Sequence, residues 1–95
     1  MEMEMKKLNV SMLPEHMQPA VEGYYYNGQY PGSFLRAVLS NQLLQSFEAA
    51  DEINEAHMKD WVMFLYNELP SSAWGSSEKV DLWILARAHE HKNVN

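Results

Sequence analysis

The sequence predicts an all-α protein, a single small domain of four or five short helices packed around a central helix near Asp51–Leu69. Two observations carry this prediction. No segment alternates apolar and polar residues as a half-buried strand does, and apolar residues in the central stretch recur at helical spacing. This stripe consists of Met58, Trp61, Val62, Leu65 and Leu69. Because Phe64 and Tyr66 widen the stripe almost all the way round, we expect other helices to surround this one.

The chain up to Gly28 contains an irregular beginning and one helix. Residues 1–10 mix charged and polar side chains without a period, so we expect a flexible segment there. Pro14 suits the first turn of a helix, and Pro19 then interrupts it. Two interpretations stay open, a short turn followed by a helix from Pro19 or one helix kinked there. Helical spacing then continues to Gly28, where glycine suits a left-handed C-terminal stop.

The remaining elements are delimited by capping residues. Ser33 is expected to be the N-cap of a second helix, with a break near Ser40-Asn41 before an apolar run that ends at Phe47. Asp51 can cap the central helix, and Ser76 can cap a last one. This arrangement predicts one helical domain over residues 11–88, with a flexible tail at residues 89–95.

Length and composition restrict the class of protein. Ninety-five residues form one hydrophobic core, and the absence of cysteine excludes disulfides and thiolate metal sites. The beginning of the chain, MEMEMKKLNV, lacks the apolar region of a signal peptide. No apolar run approaches the ~20 residues that span a bilayer. We therefore expect a cytoplasmic protein that does not contact a membrane.

The charge balance bears on the kind of partner. Thirteen acidic residues against seven basic ones give a net charge of −6. This counts against a protein that binds nucleic acid by neutralising phosphates. It is compatible with docking on a basic protein, and equally with a charge that only keeps the chain soluble.

The candidate chemical groups predict neither a metal site nor an enzyme. Four histidines are present, and His57 lies three residues from Asp60, but no HExxH or comparable ligand spacing occurs. The serines fall at predicted caps and loops, where capping explains them. A helical chain of this length has little depth for a sheltered cleft. We expect no catalytic residue, no metal and no cofactor.

A tyrosine-rich turn is the most suggestive candidate site. Its tyrosines flank Asn27-Gly28 and lead to the expected start of the second helix, where free N–H groups could accept an anion. A tryptophan in the loop before the last helix could anchor a partner, or it could cover the core from outside. The candidate partner- or ligand-binding residues are Tyr26, Tyr30, Ser33, Arg36 and Trp74. The alternative is that the tyrosines pack in the core and the turn and serine are only structural.

Four stretches of the sequence are similar to a family of phage proteins. The segments are YPGSFLRAVLSN at residues 30–41, ADEIN at 50–54, FLYNELP at 64–70 and WGS at 74–76. Together they resemble small accessory proteins of tailed bacteriophages and prophages, over roughly residues 13–84. The resemblance implies a short protein in the cytoplasm of an infected bacterium that binds a host factor or a defence component. It implies no activity and transfers no site residues.

Three functional hypotheses follow. The first is a non-catalytic phage-type accessory protein that binds and modulates a bacterial host or defence protein. The second is a small-molecule binder that sequesters a nucleotide-type signal at the tyrosine-rich turn, and a helical chain this small would need to form a homo-oligomer to build the pocket. The third is an acidic mimic of nucleic acid, which requires the acidic residues near Asp51 to line up as one stripe.

Overall fold

The computed structural model describes residues 6–92 and confirms the all-α fold class, with no strand in this part of the chain. One 3₁₀ turn, at Glu15–Met17, precedes the first α-helix, and another, at Ser71–Ala73, lies between the fifth and the sixth. The α-helices are α1 (Gln18–Asn27), α2 (Ser33–Leu39), α3 (Leu43–Ala49), α4 (Glu52–Ala56), α5 (Met58–Asn67) and α6 (Ser77–Lys92). Parts of both expected flexible ends, residues 1–5 and 93–95, lie outside the described residues.

The central stretch differs from the prediction because it forms two helices, α4 and α5, that meet at His57. The backbone N–H of His57 donates to the carbonyl of Asn54 instead of that of Ile53. The imidazole Nδ1 of His57 then lies 2.9 Å from the Ile53 carbonyl oxygen and compensates for the lost helical bond. The side chain of His57 therefore stabilises the break.

Only one side of α5 is buried, so the expectation that other helices surround it is wrong. Trp61 and Phe64 are fully buried, whereas Val62, Met63 and Tyr66 on the other side are exposed. The Trp61 ring meets the ring of Phe34 edge-on, with centroids 5.3 Å apart. Helix α5 therefore contributes one face to the core and leaves the other face in solvent.

The core joins α1 to α6 through aromatic contacts. The Trp83 ring stacks on the Tyr25 ring, with centroids 5.6 Å apart and an interplanar angle of 19°. The Trp83 indole N–H also donates to the backbone carbonyls of Tyr24 and Tyr25, at 3.2 Å each. Gly28 lies at the end of α1 against the backbone of α6, where a Cβ would come within 2.7 Å of the Ile84 carbonyl oxygen.

The segment before residue 11, which we expected to be flexible, packs on the core over the part that is described. Leu8 and Val10 are buried. The Leu8 N–H donates to the Tyr26 hydroxyl at 2.7 Å, and the Tyr25 hydroxyl donates to the Lys6 carbonyl at 3.0 Å. Because the tyrosine hydroxyls satisfy the backbone of an extended segment, no regular secondary structure is needed to hold it. At the other end, α6 includes residues 89–92 of the expected tail.

Several of the predicted helix ends are confirmed. Gly28 ends α1 in the left-handed conformation with φ of 70°, and α1 follows a short turn, which selects the first of the two interpretations for Pro19. The break between α2 and α3 occurs at Asn41, whose φ is 62°. Asp51 Oδ1 accepts the Asn54 N–H at 2.7 Å, and Ser76 Oγ accepts an N–H in the first turn of α6.

Replacing Tyr24 by phenylalanine tests the connection between α1 and the loop before α6. The buried Tyr24 hydroxyl donates to the Ala73 carbonyl at 2.7 Å, and burial raises the pKa of this phenol, so it stays protonated and donates. We expect Tyr24→Phe to lower the free energy of unfolding by about 1–3 kcal/mol, because the Ala73 carbonyl is left unpaired in the core. Urea unfolding measures the change. Tyr66→Phe, at an exposed position, should leave the stability unchanged, and equal losses in both variants would contradict this assignment.

Candidate protein-interaction surface

Helices α2 and α3 pack against each other and enclose a shallow groove. The left-handed conformation of Asn41 reverses the chain between them, so that the two short helices lie side by side. The groove has a volume of about 380 Å³ and is lined by Ser33, Arg36, Ala37, Gln42, Gln45, Glu48 and Ala49. Its walls therefore offer one guanidinium group, two amides, one carboxylate and one hydroxyl.

Arg36 connects this groove to the beginning of α6. Its Nη2 donates to Asp81 Oδ1 at 2.8 Å and to Ser77 Oγ at 2.9 Å. Its Nη1 is buried and has no hydrogen-bond partner. An unpaired buried donor raises the free energy of the folded state. Arg36 is therefore held in place by α6 while one of its donors stays unsatisfied.

Tyr30 covers the other side of this arginine. The Arg36 guanidinium carbon lies 5.7 Å from the centroid of the Tyr30 ring, a cation–π arrangement. The Tyr30 side chain is 70% exposed. Tyrosine and arginine are enriched among the residues that contribute most to protein–protein binding. The pair presents amphipathic contact area to solvent next to the groove.

Ser33 lines the groove. Contrary to our expectation, it does not cap α2. The N-cap position belongs to Gly32, and Ser33 is the first helical residue, without a side-chain hydrogen bond to the backbone at the cap. The chain leaves Gly32 in an extended conformation, with ψ of 176°, so the helix begins one residue earlier than the pattern suggests. The seven residues of α2 make a short helix with a weak dipole.

Tyr26 and Trp74 lie apart from this surface and support the fold. Tyr26 is half-buried, its ring meets the Tyr25 ring edge-on, and its hydroxyl accepts the Leu8 N–H. Trp74 is half-buried and packs against the core. The structure thus brings together Tyr30, Ser33 and Arg36 of the five candidate residues. A contact role for any of the five stays a prediction.

Helix α3 carries a feature that the sequence analysis missed, because its apolar side faces outward. Ser46 is the only buried residue of α3, and its hydroxyl donates to the Gln42 carbonyl at 2.7 Å. Leu43, Leu44 and Phe47 are 63%, 75% and 43% exposed. These three side chains form what we call the apolar face of α3. The polar residues Gln42, Gln45 and Ser46 on the opposite side favour burial of the apolar side, so the sequence contains no signal of this outward orientation.

A hydrogen bond between side chains links the 3₁₀ turn before α1 to the cap of α4. His16 Nε2 lies 3.0 Å from Asp51 Oδ2 at the protein surface. The Asn54 N–H, and after it His16, lower the pKa of the Asp51 carboxyl below its ordinary value of 3.8. A carboxyl whose pKa is lower in the folded state stabilises the fold above its unfolded pKa, and this contribution disappears as the pH falls through the folded value.

The pH dependence of stability tests this pair. We expect wild-type stability to fall more steeply than that of Asp51→Asn as the pH drops below about 4, because asparagine keeps the cap without titrating. Unfolding midpoints in urea, measured between pH 6 and pH 3, give the two slopes. Parallel slopes would show that Asp51 has the same pKa in the folded and unfolded chains.

Among residues 6–89, whose side chains the structure describes, no three His, Asp or Glu residues come together in an arrangement that could hold a metal ion. None of the helices over these residues has the length and hydropathy needed to cross a bilayer.

Comparisons with known proteins found no relative of this chain. Neither the family models, nor the curated proteins, nor the solved structures matched the chain. The class that the structure defines is a small all-α domain with an outward-facing apolar helix.

Proposed function

We propose that this chain is a non-catalytic accessory protein that binds and modulates a bacterial host or defence protein in the bacterial cytoplasm. The phage-type setting rests on the resemblance of the sequence segments. The binding role is supported by the surface described above. The proposed contact consists of the apolar face of α3, the groove beside it, and Tyr30 with Arg36.

The single observation that carries the proposal is the inverted burial of α3. A surface helix ordinarily turns its apolar side to the core. In α3 a serine faces inward while Leu43, Leu44 and Phe47 stay in water. Contiguous exposed apolar side chains on a small protein mark a surface that another molecule covers. The α3 arrangement leaves its leucines available for such a contact.

The surroundings of this face favour a protein rather than a small ligand. The groove is shallow and mixed in polarity, whereas pockets for small molecules bury most of their ligand. The hypothesis of a nucleotide-type ligand placed it at the tyrosine-rich turn and the Ser33 end of α2, with Arg36 one turn further along the helix. Ser33 does not cap α2, and Arg36 is bonded to Asp81. A protein contact uses the exposed Tyr30 and the α3 leucines together.

A pair of matched double variants tests the proposal. Three tagged proteins are each recovered from bacterial lysate, and their masses are measured by native mass spectrometry. They are wild type, the α3 variant Leu44→Glu/Phe47→Glu and the α5 variant Val62→Glu/Tyr66→Glu. We expect wild type to retain one protein partner in a fixed ratio and the α3 variant to lose it, because buried glutamates without partners disfavour the contact. Both variants add the same charge, so the α5 variant, which should retain the partner, controls for electrostatics.

Two results would contradict the proposal. One is the absence of any stoichiometric partner with wild type, and the other is equal retention by the α3 variant. Circular dichroism of each variant confirms that the helices are intact, which separates a lost contact from a lost fold.

A further inference from the structure

Helix α6 has apolar residues on two opposite sides. Val80 is fully buried and Trp83 packs against the core, so these residues form the inner side. On the outer side Leu82 and Leu85 are 59% and 67% exposed. A helix that is apolar on both sides is expected to be covered on both. The outer side of α6 therefore needs an occupant that the single chain does not supply among its described residues.

The outer side combines large and small residues. A groove of about 500 Å³ runs along it, lined by Leu82, Leu85, Ala86, Ala88 and His89. The leucines project and the alanines leave space on the same face. Such a face can fit the same face of a second copy that runs in the opposite direction. The leucines of each copy then pack into the space beside the alanines of the other.

The spacing of this face is that of a helix–helix seam. Positions 78, 82, 85 and 89 follow one another at intervals of four, three and four residues. Intervals of this kind keep one stripe of a helix against a partner helix. The stripe carries a carboxylate, Glu78, near the beginning of α6 and an imidazole, His89, further along. An antiparallel partner of the same sequence places unlike groups opposite each other.

We propose that α6 pairs antiparallel with α6 of a second copy of this chain. In this register Leu82 lies beside the partner's Leu85, and Leu85 beside the partner's Leu82. At each end Glu78 faces the partner's His89, so a carboxylate that accepts hydrogen bonds lies opposite an imidazole that can donate one. The two helix dipoles run in opposite directions, which also favours the pairing. The interface is distinct from the apolar face of α3 and does not depend on the proposed function.

The size of the face sets the expected strength of association. One helix stripe buries less than the ~800 Å² per partner of a standard interface. We therefore expect a reversible dimer with a dissociation constant of roughly 10–100 μM rather than a permanent one. Protein at concentrations above that range should be largely dimeric.

Sedimentation equilibrium of the full chain from about 5 to 500 μM tests the pairing, a range chosen to bracket the affinity expected of a small interface. For the wild-type protein, we expect the average mass to rise with concentration toward that of two chains. Leu82→Glu/Leu85→Glu should weaken self-association by roughly 100-fold or more, because like charges then face each other in the seam. Leu43→Glu/Leu44→Glu, which places the same change on α3, should associate like wild type. A wild-type monomer at the highest concentration, or a dimer broken only by the α3 change, overturns the proposal.

Cross-linking gives a second measurement that does not depend on how glutamate variants fold. The chain has no cysteine, so single cysteines can be introduced without background. When Glu78→Cys and His89→Cys proteins are mixed and oxidised, the antiparallel register predicts mixed disulfides in excess over disulfides between identical variants. Excess joining of two Glu78→Cys chains would indicate a parallel pair and overturn the register. Mixed and identical products in statistical proportion would overturn the pairing itself.

Discussion

Replacing Gly28 by alanine is expected to lower the free energy of unfolding by about 2–5 kcal/mol. Two effects add. The left-handed backbone at φ of 70° costs a residue with a Cβ about 1–2 kcal/mol. The new methyl group would also come within 2.7 Å of Arg87 Cβ and of the Ile84 carbonyl oxygen, and such overpacking costs about 1–3 kcal/mol. Urea unfolding followed by circular dichroism measures the sum.

Gly32→Ala is the matched control for this change. Gly32 has an ordinary negative φ, and a Cβ there would meet no atom within 4 Å. Its replacement should change stability by no more than about 0.5 kcal/mol, as surface substitutions commonly do. If both alanine variants were equally stable, the close approach of the end of α1 to α6 would be incorrect.

Trp61→Ala is the second change with a large expected effect. Trp61 is fully buried between the rings of Phe34 and Phe64, and its indole N–H donates to Asn54 Oδ1 at 3.3 Å. Removing a buried aromatic side chain costs about 3–5 kcal/mol, which is a large share of the ~5–15 kcal/mol that stabilises an ordinary domain. We expect a chain that is largely unfolded at 37 °C, visible as the loss of the cooperative thermal transition.

The exposed aromatic residue on the same helix provides the comparison. Tyr66→Ala removes a ring of similar size from the outer side of α5 and should change stability by about 0.5 kcal/mol or less. Trp61→Phe should lie between the two, because it keeps an aromatic ring but leaves Asn54 without its donor. A Trp61→Ala chain with an unchanged transition would place this residue outside the core.

The sequence predicted local features well because they depend on a few neighbouring residues. Gly28 ends α1, Asp51 caps α4 and Ser76 caps α6, each through backbone geometry or hydrogen bonds that act within one turn. The break near Asn41 belongs to the same category. Each of these signals can be recognised without knowing which elements meet in space.

The features that were missed depend on tertiary contacts. Burial of Leu8 requires the Tyr26 hydroxyl, eighteen residues away, to accept its N–H. The outward turn of Leu44 in α3 and of Val62 in α5 depends on which neighbours the core supplies, and helical spacing alone does not contain that information. For the same reason the sequence could not tell which candidate residues share a surface. Tyr30, Ser33 and Arg36 lie on one surface, whereas Tyr26 and Trp74 lie elsewhere.

The three successive tyrosines at positions 24–26 have a consequence for folding during synthesis. They bind the extended segment at Lys6 and Leu8 on one side, and the carbonyl of Ala73 and the indole of Trp83 on the other. The ribosome makes Trp83 long after the tyrosines have emerged. Until α6 is available, the tyrosine rings lack their aromatic cover, so α1 and the segment before it have only part of their packing. We infer that the domain closes in one late step instead of growing helix by helix from its beginning.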